Sequence, residues 1–161
     1  MGFMASGKTS VGRALARRLG RAFVDTDAEI ARAEGRGIPR IFAEDGEAAF
    51  RRMEERAISR ASRGGGLVVA VGGGAVTRPR NVAAMRRSGR VVYLEASFAV
   101  LRARAERDGA RKRPVWREAK RLLPRRRPVY RRVADLKVRA GLGSPERVAE
   151  RIARRIGSEF A

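Results

Sequence analysis

Near the start of the chain the apolar positions Val11, Ala14, Leu15 and Leu19 recur at three- and four-residue intervals, which predicts one face of a helix over residues 11–19. Gly20 follows where a left-handed cap ends such a helix. Ala22, Phe23 and Val24 read as a short buried strand, and Thr26 predicts the cap of a helix to residue 34. Ala49, Phe50, Met53, Ala57 and Ile58 mark a longer helix over 47–61. The apolar run 67–71 predicts the clearest strand, closed by Gly72, Gly73 and Gly74. Pro79 starts a predicted helix to residue 87, a strand follows at 90–94, and Ser97 caps a helix to residue 107. After a charged stretch of weak periodicity, 108–121, the pattern predicts a helix at 128–133 and an edge strand at 136–138. A final helix is expected from Ser144 and Pro145 to residue 156. Alternation of this kind predicts an α/β fold, a parallel sheet with helices on both faces, in a single domain over 1–161.

Composition narrows the chemistry. The 161 residues, 43% hydrophobic and 34% charged, contain no cysteine and no histidine. Disulfides, thiolate zinc, cysteine nucleophiles and imidazole catalysis are thereby excluded, leaving carboxylates, Lys, Arg, hydroxyls and backbone amides. No apolar run is long enough to cross a bilayer, and no basic segment followed by an apolar one suggests a secretory signal, so a cytoplasmic location is expected. The net charge of +21 invites a nucleic-acid reading, but only four of the 38 basic residues are lysine. The arginines are interleaved with Glu and Ala in helical contexts, without aromatic stacking partners. The expectation is a solvated basic surface with no nucleic acid and no membrane as partner, and a polyphosphate substrate suits its field.

The segment from Gly2 to Thr9, GFMASGKT, has two glycines five apart followed by Lys and a hydroxyl residue, the pattern of a phosphate-binding loop. Gly2 and Gly7 let backbone amides turn toward phosphate oxygens, and the following helix adds its positive end. Lys8 would reach the β- and γ-phosphates and the Thr9 hydroxyl would bind Mg2+. Such a loop normally follows a buried strand, yet only Met1 precedes Gly2 here. A sheet lacking that strand would have a slot in its core, and the expectation is a true start further upstream. Past the predicted strand at 22–24, Asp25 and Asp27 stand two apart, so both project the same way from extended chain. Either Asp25 faces Mg2+ and Asp27 meets an acceptor hydroxyl, or one of them only caps the next helix. Gly72, Gly73 and Gly74 either bring backbone amides close to a ligand or form a plain turn.

Taken together, these motifs resemble the shikimate kinase family. The resemblance rests on the Gly2–Thr9 loop, Asp25-Thr26-Asp27, Ile41-Phe42-Ala43 with Asp45-Gly46-Glu47, and Phe50-Arg51-Arg52-Met53-Glu54. It continues through Gly72-Gly73-Gly74-Ala75-Val76, Arg113-Pro114, and Arg126 with Pro128 and Tyr130. It implies a three-layer P-loop kinase fold with a mobile lid at roughly 108–121. It also implies ATP-dependent phosphorylation of the 3-hydroxyl of shikimate, the fifth step of chorismate biosynthesis, by a monomer.

Carried over by motif, the resemblance gives Asp27 the task of holding and activating the shikimate hydroxyl, with Lys8 and Arg113 as its catalytic companions. Gly2, Ala5, Ser6, Gly7, Lys8, Thr9, Ser10, Arg104, Arg113 and Pro145 would bind ATP, and Thr9 and Asp25 would hold Mg2+, the latter through water. Arg51 and Arg126 would clamp the substrate carboxylate, with Gly72, Gly73 and Gly74 beside the ring. Arg126 is chosen among Arg125, Arg126 and Arg127 by its offset from Pro128 and Tyr130. The stretch between Pro114 and Pro128 is several residues shorter than is usual in the family. Gluconate kinase of the same fold, or an inactive shikimate- or ATP-sensing relative, is the alternative reading.

Overall fold

The structure is a computed structural model that describes residues 1–107, 116, 118–141 and 143–157. In chain order its elements are α1 (Lys8–Leu19), β1 (Ala22–Asp25), α2 (Thr26–Glu34), α3 (Ile38–Ala61), β2 (Leu67–Ala70) and α4 (Pro79–Ser88). They continue with β3 (Val92–Glu95), α5 (Phe98–Arg107), α6 (Ala119–Val133), β4 (Leu136–Arg139) and α7 (Pro145–Gly157). All strand pairing is parallel: β1 on β2, with Phe23 opposite Val68, and β3 on β4, with Leu94 opposite Val138. Helices cover both faces. Leu94 enters a core built with Val11 and Leu15 of α1, Val138 of β4 and Ile152 of α7. Its neighbour Tyr93 enters the opposite core, with Ile58 of α3 and Leu123, Tyr130 and Val133 of α6, as successive residues of a strand must.

Several boundaries differ from the sequence reading for physical reasons. The cap of α2 is Asp25, whose carboxylate accepts from the Asp27 and Ala28 amides at 3.1 and 3.5 Å, whereas Thr26 is buried in the first turn. The helix expected at 47–61 is the second half of α3, which begins at Ile38 and breaks at Gly46 with φ 78°. The helix expected at 128–133 starts nine residues earlier: Ala119, Leu123, Tyr130 and Val133 form one buried face, and that packing carries α6 through the exposed Pro124 and Pro128. The edge strand β4 and the Gly20 cap, at φ 61°, stand where expected.

Between β2 and β3 the two pairs of strands do not meet. A cavity of about 330 Å³ lies there, lined by Val69, Val71, Val92, Leu15, Ile58 and Ile152 among others. Met1 closes one end. Its amine donates to the Val92 carbonyl at 2.7 Å and its carbonyl accepts from the Leu94 amide at 2.9 Å, a parallel bridge opposite Tyr93.

Burial, and secondarily the charge on Lys8, push this amine down to about 5. Unfolded, an α-amine titrates near 8, so between these values unfolding takes up a proton and stability must rise with pH. For the 161-residue chain the predicted gain from pH 5.5 to 8.5 is about 3–4 kcal/mol, read by urea denaturation. No histidine or cysteine titrates in that window. Acetylating the amine removes this contribution; an unchanged slope after acetylation would assign it elsewhere.

Candidate active site

The loop before α1 is shaped by backbone that side chains rarely adopt: Gly7 has φ 87° and Ala5 φ 61°. Within it the Ser6 amide donates to the Phe3 carbonyl at 3.1 Å, and the Lys8 ammonium donates to the same oxygen at 3.1 Å. The Ser6 hydroxyl is buried with no hydrogen-bond partner among the described residues. Gly7 precedes the first turn of α1, where amides and helix dipole favour an anion. Arg104 of α5 braces the loop from outside, donating to the Ser6 carbonyl at 3.2 Å and to the Ala140 carbonyl at 2.6 Å. Ser10 is exposed on α1, and Pro145 opens α7 after Ser144, whose hydroxyl accepts from the Arg147 amide at 3.4 Å.

Asp25 joins the loop to the sheet. Its Oδ2 accepts from the Thr9 hydroxyl at 2.7 Å while Oδ1 caps α2. The capping reading of this carboxylate is therefore realised, and the same side chain also holds the Thr9 hydroxyl. Thr9 and Asp25 together present hard oxygens at the start of α1, a donor set that fits Mg2+, which takes one or two protein oxygens and fills the rest of its octahedron with water and phosphate.

Across the exit of β2, three glycines let charged groups press against the backbone. A β-carbon at Gly72 would stand 2.7 Å from Glu54 Oε1 and 3.0 Å from Asp27 Oδ1. At Gly73 it would stand 3.1 Å from the Gly2 carbonyl and 3.2 Å from the Tyr130 hydroxyl, and at Gly74 it would overlap the Arg51 guanidinium. The turn is held by the Ala75 amide on the Gly72 carbonyl at 3.1 Å, and the Tyr130 hydroxyl donates to the Gly73 carbonyl at 2.7 Å. Tyr130 is fully buried and stacked on Tyr93, and desolvation pushes its phenol up to about 12.

Glu54, to which the sequence reading gave no role, is the further charged residue in this cluster. It is fully buried; Oε2 accepts from Arg51 at 2.8 Å, and Oε1 has no hydrogen-bond partner among the described residues. Desolvation pushes its carboxyl upward, the Arg51 charge opposes that, and the Asp27 charge adds to it. One turn back, Glu47 accepts from Arg51 at 3.0 Å, so the guanidinium is fixed by two carboxylates and its side chain is 11% exposed. Of the three candidate arginines on α6, Arg126 acts electrostatically on both Glu54 and Tyr130. Arg127 turns instead to the Ala96 carbonyl, and Arg125 is exposed. The structure thus brings Asp27, Arg51, Glu54, Gly72–Gly74, Arg126 and Tyr130 together beside the phosphate loop. Arg113 and most of the expected lid lie outside the described residues.

Comparison with known proteins agrees in one direction. The family model described as shikimate kinase matches residues 4–157. A shikimate kinase from Symbiobacterium thermophilum is 43% identical over 144 residues, 86% of this chain and 83% of that one. A shikimate kinase from Acinetobacter baumannii, solved in complex with shikimate, superposes with a TM-score of 0.92 at 37% identity, over 98% of this chain and 90% of that one. A gluconokinase from Sinorhizobium meliloti reaches a TM-score of 0.52 at 21% identity, over 100% of this chain and 95% of that one, a likeness of fold.

Removing Glu54 takes from Arg51 its buried partner and leaves it only the exposed Glu47. Glu54→Ala is expected to destabilise the chain by about 3 kcal/mol, and adding Arg51→Met to recover at least ~1 kcal/mol of it. Urea denaturation of the two single variants and the double variant measures both values, and additive losses would show that the pair is not coupled.

Proposed function

The chain belongs to the shikimate kinase family, and we propose that it transfers the terminal phosphoryl group of ATP to the 3-hydroxyl of shikimate. The observation that carries this reading is the meeting, across the glycine turn, of a phosphate loop with one carboxylate and two arginines. The relative solved with shikimate supports the acceptor. A planar guanidinium fork suits a carboxylate, so Arg51 and Arg126 hold that end of the acceptor while the Gly73 and Gly74 amides lie along its ring. Glu54 fixes the angle of Arg51. Asp27, at the start of α2 and beside Gly72, accepts the hydroxyl proton as the oxygen attacks.

On the donor side, the loop amides and Lys8 cradle the phosphates, and Arg104 with the turn at Pro145 flanks the nucleotide. Thr9 and Asp25 would hold Mg2+, Asp25 through water; bound there, the ion neutralises charge on the β- and γ-phosphates. Arg113 would reach the transferring group from the lid. Little covalent participation is asked of the protein, so positioning and charge neutralisation account for most of the rate. The basic surface serves solvation: Arg32 pairs with Glu29 and Arg154 with Glu150 one helical turn apart. No helix among the described residues is long and apolar enough to cross a membrane. This reading carries with it a cytoplasmic, monomeric enzyme.

The direct test is ADP release from MgATP with shikimate, quinate or gluconate as acceptor. Release selective for shikimate is the expected result, and equal release with gluconate would overturn the acceptor assignment. Asp27→Asn should lower kcat by about 10²–10⁴-fold and leave KM for MgATP within about threefold. Unchanged turnover would remove Asp27 from the proton-accepting role.

A further inference from the structure

The carbonyls of the glycine turn are held from two directions. Gly72 accepts from the Ala75 amide at 3.1 Å, and Gly74 accepts from the Thr77 amide at 3.0 Å and the Thr77 hydroxyl at 2.7 Å, all local to the turn. The Gly73 carbonyl is different: among the described residues its donor is the Tyr130 hydroxyl, 57 residues away on α6, at 2.7 Å. Because a trans peptide is planar, the Gly74 amide points opposite to that carbonyl, so a donor behind the turn sets the direction of an N–H on its front. Neither the Gly73 nor the Gly74 amide meets an acceptor among the described residues.

Tyr130 is built to hold this position. Its ring is fully buried and stacked on Tyr93 of β3 with 5.1 Å between centroids, which fixes the plane of the ring. A β-carbon at Gly73 would stand 3.2 Å from the hydroxyl, so bare backbone lets it approach. A phenylalanine would fill the same stack without burying a hydroxyl, so packing alone does not account for a tyrosine here. Arg126 lies one turn earlier on α6 and acts on the same oxygen, which joins one ring to both the turn and the arginine. We propose that Tyr130 is a positioning residue for the acceptor: its hydroxyl orients the Gly73–Gly74 peptide so that the Gly74 amide is set for shikimate before it binds. This rests on the acceptor reading above and adds that Tyr130 acts through the turn on binding, and not on phosphoryl transfer, since its proton is engaged on the Gly73 carbonyl.

The test compares the unaltered chain with Tyr130→Phe and, as a control for a hydroxyl lost from the same stack, Tyr93→Phe. Tyr130→Phe should raise KM for shikimate about fivefold, with kcat and KM for MgATP within about twofold. The Gly74 amide resonance of the ligand-free protein should move in Tyr130→Phe and stay in place in Tyr93→Phe. Unchanged KM for shikimate in Tyr130→Phe, or an equal rise in Tyr93→Phe, would overturn the inference. If the unaltered chain does not turn over shikimate, the acceptor reading fails by itself; a Gly74 resonance alike in all three proteins, read without ligand, is what overturns the positioning. The chain has two tyrosines, so 3-fluorotyrosine places a probe at each that does not depend on Tyr130→Phe folding. Shikimate should shift the Tyr130 signal more than the Tyr93 signal, and a Tyr130 signal unmoved by saturating shikimate would overturn the inference equally.

Discussion

The close approach of neighbouring groups to the backbone at Gly72, Gly73 and Gly74 organises everything else in the site. Glu54 and Asp27 face the first glycine, the Gly2 carbonyl and Tyr130 the second, Arg51 the third. A methyl group at any of the three would displace a partner, so the absence of side chains here lets β2, α2, α3, α6 and the phosphate loop converge. The buried Glu54–Arg51 pair depends on the same geometry. Taking such ions out of water is costly, and the low dielectric returns that cost only when partners are fixed. Glu47 on the exposed side and the glycine backbone on the other fix them. The arrangement holds a guanidinium in place before any ligand arrives, which spares the ordering entropy that a freely rotating arginine would lose.

Donor and acceptor halves are tied through a few groups. Asp25 holds Thr9 of the phosphate loop with one oxygen and caps α2, the helix of Asp27, with the other. Tyr130 holds the Gly73 carbonyl from α6, and Arg126 lies one turn earlier on that helix. A trans peptide is planar, so fixing the Gly73 carbonyl also fixes the Gly74 amide on the opposite side. On its sheet side the phosphate loop is joined to β3 through the bonds that Met1 makes with Val92 and Leu94.

The phosphate loop was legible because its function is written in backbone requirements, glycines at fixed spacing before an amphipathic helix, which survive any tertiary context. Asp25 and Asp27 were legible as a pair, but not the division of labour, because a carboxylate that caps a helix and one that holds Thr9 look the same until Asp25 does both. Glu54 was hidden for a different reason. With Arg51 three residues before it on a helix, it reads as a surface ion pair, and only packing against Gly72 shows that the pair is buried. Arg126 was chosen among three adjacent arginines by its offset from Pro128 and Tyr130, and of the three it is the one that acts on both Glu54 and Tyr130.

The most direct test of the central claim is shikimate binding by calorimetry to Gly74→Ala beside the unaltered chain, with MgATP binding measured on both. Because the added methyl overlaps the Arg51 guanidinium, shikimate affinity should fall by about tenfold or more while MgATP affinity stays the same. Equal shikimate affinity in the two proteins would contradict the account, showing that the glycine turn and the arginine it admits do not build the acceptor site.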